Sequence, residues 1–196
     1  MKIKIAIVYN SSYGTTKLMA EAVKKGVLKH TNHVDTIFAD ENTDVEVLDQ
    51  YDGILFGTPT YMGSVSGGFK QFMDKSSSRW AVGAWKDKFA GGFTSSNSTN
   101  GDKLNTLMTL FIFACQHKMN WISLGIANQS SESQYNQGDV DCVNRFGSNI
   151  GAMAQSEQCR IDNSGDLRTA ELYGERFAMF ILQTSTTSIC TFEQER

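Results

Sequence analysis

Short apolar runs alternate with amphipathic stretches along most of this chain. The runs at 5–9, 34–38, 53–58, 89–94 and 121–126 are bounded by polar or glycine-rich residues, which predicts strands buried on both faces of a sheet. Between them, apolar residues recur at helical spacing, which predicts helices that each bury one face. These helical stripes consist of Met19, Ala22, Val23, Gly26 and Val27; Val65, Phe69, Phe72 and Met73; Leu104, Leu107, Met108, Phe111 and Cys115; and Ala170, Tyr173, Gly174, Phe177, Ala178 and Ile181.

Five strands that alternate with helices predict an α/β fold with a doubly wound parallel sheet between two helical layers. One region does not follow this pattern. Residues 127–165 form a long polar segment rich in Asn, Gln, Ser and Gly. Only 145–154 has a helix-like pattern, and a loop of this length is usually functional or mobile.

Composition narrows the class of protein. The chain has 196 residues, 40% of them hydrophobic, and no Pro-rich or Gly/Ser-rich linker, so we expect one domain over 1–196. With a net charge of -3, the chain has no excess of basic residues of the kind that binds nucleic acid or an anionic membrane. With no signal-peptide pattern and no long apolar run, we expect a soluble cytoplasmic protein. Its four cysteines form no CxxC pair, so we expect reduced thiols and no metal site.

The loop after the first predicted strand is rich in hydroxyl groups. Ser11, Tyr13, Thr15 and Thr16 can donate hydrogen bonds, and Gly14 permits close approach at the start of the next helix. Hydroxyls beside a helix N-terminus suit a phosphate, although Ser and Thr are also ordinary helix caps. Neither GxGxxG after the first strand nor GxxxxGK[ST] occurs, which disfavours a Rossmann dinucleotide site and a P-loop.

The loop after the third predicted strand holds the chain's single proline, Pro59. Proline fixes φ, and the flanking glycines Gly57 and Gly63 allow unusual backbone geometry, so this loop has a defined shape. It lies at the carboxyl end of a buried strand. In open α/β sheets that edge is where ligands bind.

These loops together resemble the flavodoxin-like superfamily, and within it the WrbA-type NAD(P)H:quinone oxidoreductases and related NADPH-dependent FMN reductases. The resemblance rests on YNSSYGTT at 9–16, GTPTYMGS at 57–64, GGFKQFMD at 67–74 and FTSS at 93–96. Weaker similarity continues at 116–119 and 165–167. It implies a flavodoxin-like three-layer fold, an FMN cofactor and NAD(P)H as co-substrate.

The resemblance also implies which residues contact FMN. The first loop would hold the phosphate, the second would pack along the isoalloxazine ring, and the third would close around the ribityl chain and the pyrimidine edge. Met62 stands where the family usually has an aromatic residue. The implied cofactor-binding residues are Ser11, Ser12, Tyr13, Gly14, Thr15 and Thr16; Pro59, Thr60, Tyr61, Met62, Gly63 and Ser64; and Thr94, Ser95, Ser96, Asn97 and Gly101.

Two further residues gain a role from the resemblance. His117 matches a histidine beside the flavin, where it could protonate a reduced quinone; the alternative is a histidine that interacts with a helix C-terminus. Trp80 matches a tryptophan that walls the substrate site across a subunit boundary; the alternative is packing.

The leading functional hypothesis is an FMN-dependent oxidoreductase that transfers hydride from NAD(P)H through flavin to a quinone-like or other small acceptor, with ping-pong kinetics. The alternative is a flavodoxin-type single-electron carrier with no small-molecule turnover, which the modest negative charge disfavours. The resemblance also suggests a homodimer or homotetramer. Nucleotide preference and the natural acceptor stay open.

Overall fold

The computed structural model describes residues 2–132, 134, 138–157, 161 and 164–193. The described residues form seven strands, five α-helices and short 3-10 turns at Glu46–Gln50 and Gln129–Ser131. In chain order these elements are β1 Ile5–Tyr9, α1 Thr15–Val27, β2 Val34–Phe38, β3 Gly53–Tyr61, β4 Ser64–Val65, α2 Gly67–Lys75, α3 Ser77–Val82, β5 Phe89–Ser96, α4 Lys103–Gln116, β6 Asn120–Trp121, β7 Ala152–Gln155 and α5 Ser164–Glu193.

The sheet has the order β2-β1-β3-β5-β6, and these five strands run parallel. Strand order reverses next to β1, where the chain passes first to β2 on one side and then to β3 on the other. This confirms the expected flavodoxin-like, doubly wound architecture. Ligands in such sheets bind at the carboxyl ends of the strands beside the reversal.

Two layers of side chains form the core, one on each face of the sheet. Alternate residues of β1 divide between them: Ile5 and Ile7 pack on one side, and Ala6 and Val8 on the other. Helices α1 and α5 cover the first face, whereas α2 and α4 cover the second. The period-two alternation of a strand between two helical layers explains why β1 is apolar throughout.

The edge beyond β5 differs from the sequence expectation. A strand over 121–126 is wrong, because β6 ends at Trp121 after pairing with only two residues of β5. The carboxyl half of β5 pairs instead with β7, from Phe93↔Ala152 to Ser96↔Gln155. The same edge of β5 therefore serves two short strands in succession.

The helix-like pattern at 145–154 is also wrong, because 152–155 form strand β7. Gly151 precedes this strand, and a Cβ there would lie 2.2 Å from the carbonyl oxygen of Gly92. A glycine at this position allows the chain to approach the sheet closely enough to pair with β5. Ala152 and Ala154 are buried, whereas Met153 and Gln155 are partly exposed, which is the period of a strand.

Among the described helices, none is both long enough and apolar enough to cross a bilayer.

Candidate functional site

A cavity of about 580 Å³ opens at the carboxyl ends of β3 and β5. This volume falls in the usual range of small-molecule sites. Most of its lining residues carry a hydroxyl group, and none of those described carries a charge. The lining consists of Tyr13, Thr15, Pro59, Thr60, Tyr61, Met62, Gly63, Ser95, Ser96, Asn97, Ser98, Gly101 and Ser156.

The first wall of the cavity is the loop between β1 and α1. Gly14 is the N-cap of α1 with φ of 90°, and it makes no side-chain cap hydrogen bond. A left-handed residue at this point favours glycine, and a Cβ added there would meet no atom within 4 Å. Ser11 Oγ accepts hydrogen bonds from the backbone N–H of Gly14 at 3.1 Å and of Lys17 at 3.4 Å. The loop thus presents the N-terminus of α1 to open space beside the cavity.

The second wall is the turn that joins β3 to the short antiparallel strand β4. Its tip is Met62 and Gly63, both with positive φ, and the Met62 side chain is fully exposed. Pro59 pairs with Ser95 of β5 but lies beyond Gly57, the last residue of β3 that pairs with β1. On the side of β1, β3 is unpaired at Pro59, so the N–H that proline lacks does not remove a hydrogen bond between strands.

The third wall is the segment from Ser95 to Gly101, which consists of the end of β5 and the turn after it. Ser95 Oγ lies 3.2 Å from the hydroxyl oxygens of Thr15 and Thr16, so it joins this wall to the first. The Ser96 hydroxyl donates to the carbonyl oxygen of Ser98 at 3.0 Å, which closes a tight turn.

Buried hydroxyl groups fix the second wall to its surroundings. Thr60 Oγ1 lies 2.9 Å from Thr94 Oγ1 and 2.8 Å from Thr106 Oγ1. Thr94 Oγ1 also donates to the carbonyl oxygen of Thr58 at 2.7 Å. Because these groups satisfy one another away from water, they hold the wall in one arrangement.

Sequence reasoning missed two lining residues, Ser98 and Ser156. Ser98 lies inside the third loop. Ser156 follows β7, and its hydroxyl donates to Asn97 Oδ1 at 2.8 Å. No signal in the sequence placed Ser156 here, because its position depends on the pairing of β7 with β5.

Eleven of the expected cofactor-binding residues line the cavity and six do not: Ser11, Ser12, Gly14, Thr16, Ser64 and Thr94. Most of the six support the walls. Thr16 and Thr94 are buried behind the walls. Ser11 accepts a hydrogen bond within the first loop, and Ser64 lies in β4. Ser12 is exposed beside Tyr13.

His117 lies in the aromatic core and not at the cavity. Its side chain stacks on Trp85 with ring centroids 4.3 Å apart and meets the edge of Phe113 at 4.9 Å. The Ser76 hydroxyl donates to the Met73 carbonyl oxygen, so His117 Nε2 donates to Ser76 Oγ at 2.9 Å. The structure therefore assigns His117 to packing and does not bring it to the expected position.

Burial also sets the charge of this histidine. Only 4% of His117 is exposed, and this burial lowers its pKa to about 4. Nδ1 is buried with no hydrogen-bond partner among the described residues. A neutral ring with its proton on Nε2 accounts for this arrangement.

Trp80 lies in α3 and is half exposed, outside the lining of the cavity. The neighbouring Trp85 is fully buried, and its indole N–H donates to Asp49 Oδ1 at 3.0 Å. Of the two tryptophans, only Trp80 has surface available for a second molecule.

Comparison with known proteins agrees with this arrangement. Residues 3–129 match the family described as NADPH-dependent FMN reductase. A flavodoxin, FldP of Pseudomonas aeruginosa, is 41% identical over 180 residues, which cover 89% of this chain and 95% of that protein. An NAD(P)H dehydrogenase (quinone) of Geobacter sulfurreducens is 29% identical over 202 residues, covering 90% and 96%.

Among solved structures, the flavodoxin, WrbA-like protein from Agrobacterium tumefaciens superposes with a TM-score of 0.71 at 42% identity. The match covers 93% of this chain and 99% of that one. The family match extends over more than half of the chain and includes all three walls of the cavity. The chain therefore belongs to the NADPH-dependent FMN reductase family and is, by that membership, an FMN-dependent oxidoreductase.

Proposed function

We propose that the cavity binds FMN and that the protein uses NAD(P)H to reduce a quinone-like acceptor. The observation that carries the proposal is the convergence of three loops from neighbouring strands on one hydroxyl-lined cavity beside the strand-order reversal. When bound, FMN would supply the redox chemistry, taking hydride from NAD(P)H and passing two electrons to the acceptor. The chain would bind and orient the reactants and exclude water.

The first wall fits a phosphate. The N-terminus of α1 carries partial positive charge and backbone N–H donors, of which that of Lys17 is bonded to Ser11 Oγ at 3.4 Å. Thr15 adds a hydroxyl beside it, held against Ser95 Oγ. Neutral donors of this kind can bind a dianion without a lysine or arginine, because several charge-assisted hydrogen bonds act together.

The second wall fits a flat aromatic ring. Pro59 and Tyr61 give the turn apolar surface, and the exposed Met62 can lie against a ring face, since its thioether is polarizable and flexible. The network around Thr60 fixes the backbone beneath this turn. A turn held in this way would orient a ring and set the hydrogen bonds at its edge.

The lining favours an uncharged acceptor. None of the described lining residues is acidic or basic, and the exposed Tyr13, Tyr61 and Met62 surround the cavity with apolar and aromatic surface. A quinone matches this surface better than a charged acceptor would. Because donor and acceptor would use one cavity, the donor product must leave first, and ping-pong kinetics follow.

We further propose that the protein self-associates. On α4, Leu104, Met108 and Ile112 lie four residues apart and are exposed, so they form an apolar stripe on one helix face. A second copy of the chain could cover such a stripe and bring the exposed Trp80 of one copy toward the cavity of another. Sedimentation of the protein as a monomer would contradict this.

A flavodoxin-type electron carrier is the second candidate. The observation in its favour is that two relatives above 40% identity carry the name flavodoxin. The two functions require different behaviour toward nucleotides: a reductase is reduced by NADH or NADPH, whereas a carrier receives electrons from a protein partner.

An anaerobic titration of the FMN-loaded protein separates the two candidates. We expect rapid loss of flavin absorbance on addition of NADPH or NADH, its return on addition of a benzoquinone, and parallel lines in steady-state double-reciprocal plots. If the absorbance is unaffected by both nucleotides but is lost with dithionite, the protein is a carrier. If FMN does not bind at all, both candidates are wrong.

A further inference from the structure

Lys103, the first residue of α4, is almost fully buried, with 1% of its surface exposed. Its ammonium points back into the third wall of the cavity. Nζ donates to Ser96 Oγ at 3.0 Å and to the carbonyl oxygens of Ser98 at 2.7 Å and Thr99 at 2.8 Å. All three donors of the ammonium are therefore used on the turn that includes the lining residues Ser96 and Ser98.

Two cations, the Lys103 ammonium and the Arg145 guanidinium, lie close to the ring of Phe146. Nζ lies 4.5 Å from the centre of the Phe146 ring, and the guanidinium carbon of Arg145 lies 4.4 Å from the same ring centre. Arg145 in turn donates from Nε and Nη2 to the two carboxylate oxygens of the buried Asp166 at 2.9 and 3.1 Å. Arg145 and Phe146 belong to the long segment 127–165, which therefore contacts Lys103 behind the third wall in addition to lining the cavity at Ser156.

We propose that Lys103 is a positioning residue for FMN: its ammonium holds the turn at Ser96–Thr99 in the shape of the cavity wall and places a positive charge directly behind it. This rests on the proposed binding of FMN in the cavity. The ammonium does not touch the cavity itself. It acts through the turn and through its charge, which favours an anionic ligand over short distances in a partly desolvated site.

The charge of this lysine is adjustable near neutral pH. Burial lowers the pKa of Lys103 to about 8; the Asp166 carboxylate raises it, and the Arg145 guanidinium lowers it further. The charged residue next to it on its own helix is Asp102 at the N-cap, and the turn at 96–101 carries no titratable side chain. Since an anionic ligand stabilises the ammonium, FMN affinity should fall as pH rises through 8.

A second, partly buried lysine provides a control. Lys88 Nζ donates to the carbonyl oxygens of Asp49 at 2.8 Å and Tyr51 at 2.7 Å, and burial lowers its pKa as well. It thus makes the same kind of contact to a loop. That loop precedes the amino end of β3, whereas the cavity lies at the carboxyl end.

The test is the affinity of the flavin-free protein for FMN, measured by quenching of flavin fluorescence between pH 7 and pH 9. The proteins compared are the wild type, Lys103→Met, Lys103→Arg and Lys88→Met. If FMN raises the pKa of Lys103 by about one unit, the wild-type Kd should rise about fivefold between pH 7 and pH 9. The phosphate of FMN is about nine-tenths doubly ionised at pH 7 and more so above it, since its second pKa is about 6, so its own titration changes the Kd little over this interval.

We expect Lys103→Met to bind FMN roughly tenfold more weakly at pH 7, with a Kd that no longer changes with pH. Lys103→Arg should recover part of the affinity and also show no pH dependence, because arginine stays charged. Lys88→Met should keep the wild-type affinity and pH profile. Thermal unfolding without FMN reports whether each variant is folded.

A wild-type Kd that is independent of pH, or a folded Lys103→Met that binds like Lys88→Met, would overturn the proposal while leaving the proposed function intact. Failure of the wild type to bind FMN at any pH would overturn both. If Lys103→Met does not fold, the pH dependence of the Kd is compared between the wild type and Lys103→Arg. A Kd that rises with pH only in the wild type supports the proposal, and the same pH dependence in both proteins overturns it.

Discussion

The cavity and the pocket around His117 differ in the way their polar groups are satisfied. In the cavity, hydroxyl groups such as those of Thr15 and Ser95 bond to one another at the carboxyl ends of the strands, next to open space. Around His117, a single imidazole is enclosed by Trp85 and Phe113, and within the described part of the chain its ring bonds only to Ser76. The first region can exchange its bonds for those of a ligand, whereas the second cannot without opening the core.

This difference distinguishes a region that can bind a ligand from a region whose side chains pack the core. A titratable side chain in a family motif is a natural candidate for acid–base chemistry, but burial lowers the pKa of this one to about 4, so its ring is neutral at pH 7. The described lining of the cavity offers no histidine, carboxylate or lysine in its place. The residues at the cavity can therefore position a ligand and form hydrogen bonds to it, and they would do so through hydroxyl groups more than through ionisable groups.

The largest effect is expected from removing the hydroxyls that join the first and third walls. The double variant Thr15→Val with Ser95→Ala keeps the shape of the site but deletes two donors. At about 2 kcal/mol for each hydrogen bond to a charged phosphate, the Kd for FMN should rise about a thousandfold. Fluorescence titration measures this change.

The control for that experiment is Thr31→Val. Thr31 is also a buried threonine, and its hydroxyl donates to the carbonyl oxygen of Ile3 at 2.9 Å, near the amino end of β1. It should lower stability without changing the Kd. Equal effects of both variants on FMN binding would mean that the cavity hydroxyls have no special part in it.

The next effect concerns the free energy of unfolding as a function of pH. The pKa of His117 falls from 6.5 to about 4 on folding, so between these values the unfolded chain binds a proton that the folded chain does not. Stability is fully present above pH 6.5 and is lost as pH falls toward 4, by ~3 kcal/mol from this group. Urea unfolding at pH 7 and pH 4 measures the loss.

The variant His117→Phe should lack this part of the acid destabilisation, because phenylalanine does not titrate. Glu171 contributes separately: burial would raise its pKa, but hydrogen bonds from Lys29 and Lys25 lower it to about 2. Its stabilisation is lost only as pH falls below about 4.5, and it acts in both proteins alike. An unchanged difference between pH 7 and pH 4 in His117→Phe would show that the histidine is not the source.

A smaller effect is expected at the tip of the second wall. Met62→Gly removes a fully exposed side chain and relieves a left-handed backbone, so the free protein should be no less stable. If the thioether packs on the flavin ring, the Kd for FMN should rise roughly three- to tenfold. Met62→Leu, which keeps the apolar bulk, should stay within about twofold of wild type. Wild-type affinity in Met62→Gly would exclude a contact with the ring.

The smallest effect is expected for His117→Phe on turnover. Because the ring lies in the core, the FMN-loaded variant should oxidise NADPH with a benzoquinone at a kcat/KM within about twofold of wild type. A loss of a hundredfold or more in a folded, fully loaded variant would restore His117 to the reaction.

Local pattern was sufficient to predict the strands and helices that bury a regular face. The first three strands and the helices at 15–27 and 103–116 follow from period-two and helical spacing alone, because the regular spacing of their apolar residues marks the faces that are buried. Pro59 and the hydroxyl loop also identified two walls of the cavity. These features depend on residues that lie close together in the sequence, so they can be recognised from the sequence alone.

The remaining features depend on contacts between distant parts of the chain. β7 forms because residues 152–155 meet the free edge of β5, and that pairing brings Ser156 to the cavity and Phe146 to Lys103. His117 is buried because Trp85, from a different segment, covers it. Neither the pairing of β7 with β5 nor the contact of Trp85 with His117 produces a periodic signal in the sequence. Neither could therefore be predicted from the spacing of residues.

A crystal structure of the protein saturated with FMN tests the proposed site directly. We expect flavin density in the cavity, with the phosphate at the start of α1 and the ring against the turn from Pro59 to Gly63, while the side chain of His117 stays stacked on Trp85. Flavin bound elsewhere, or a His117 ring turned out of the core to meet it, would show that the proposed site is wrong.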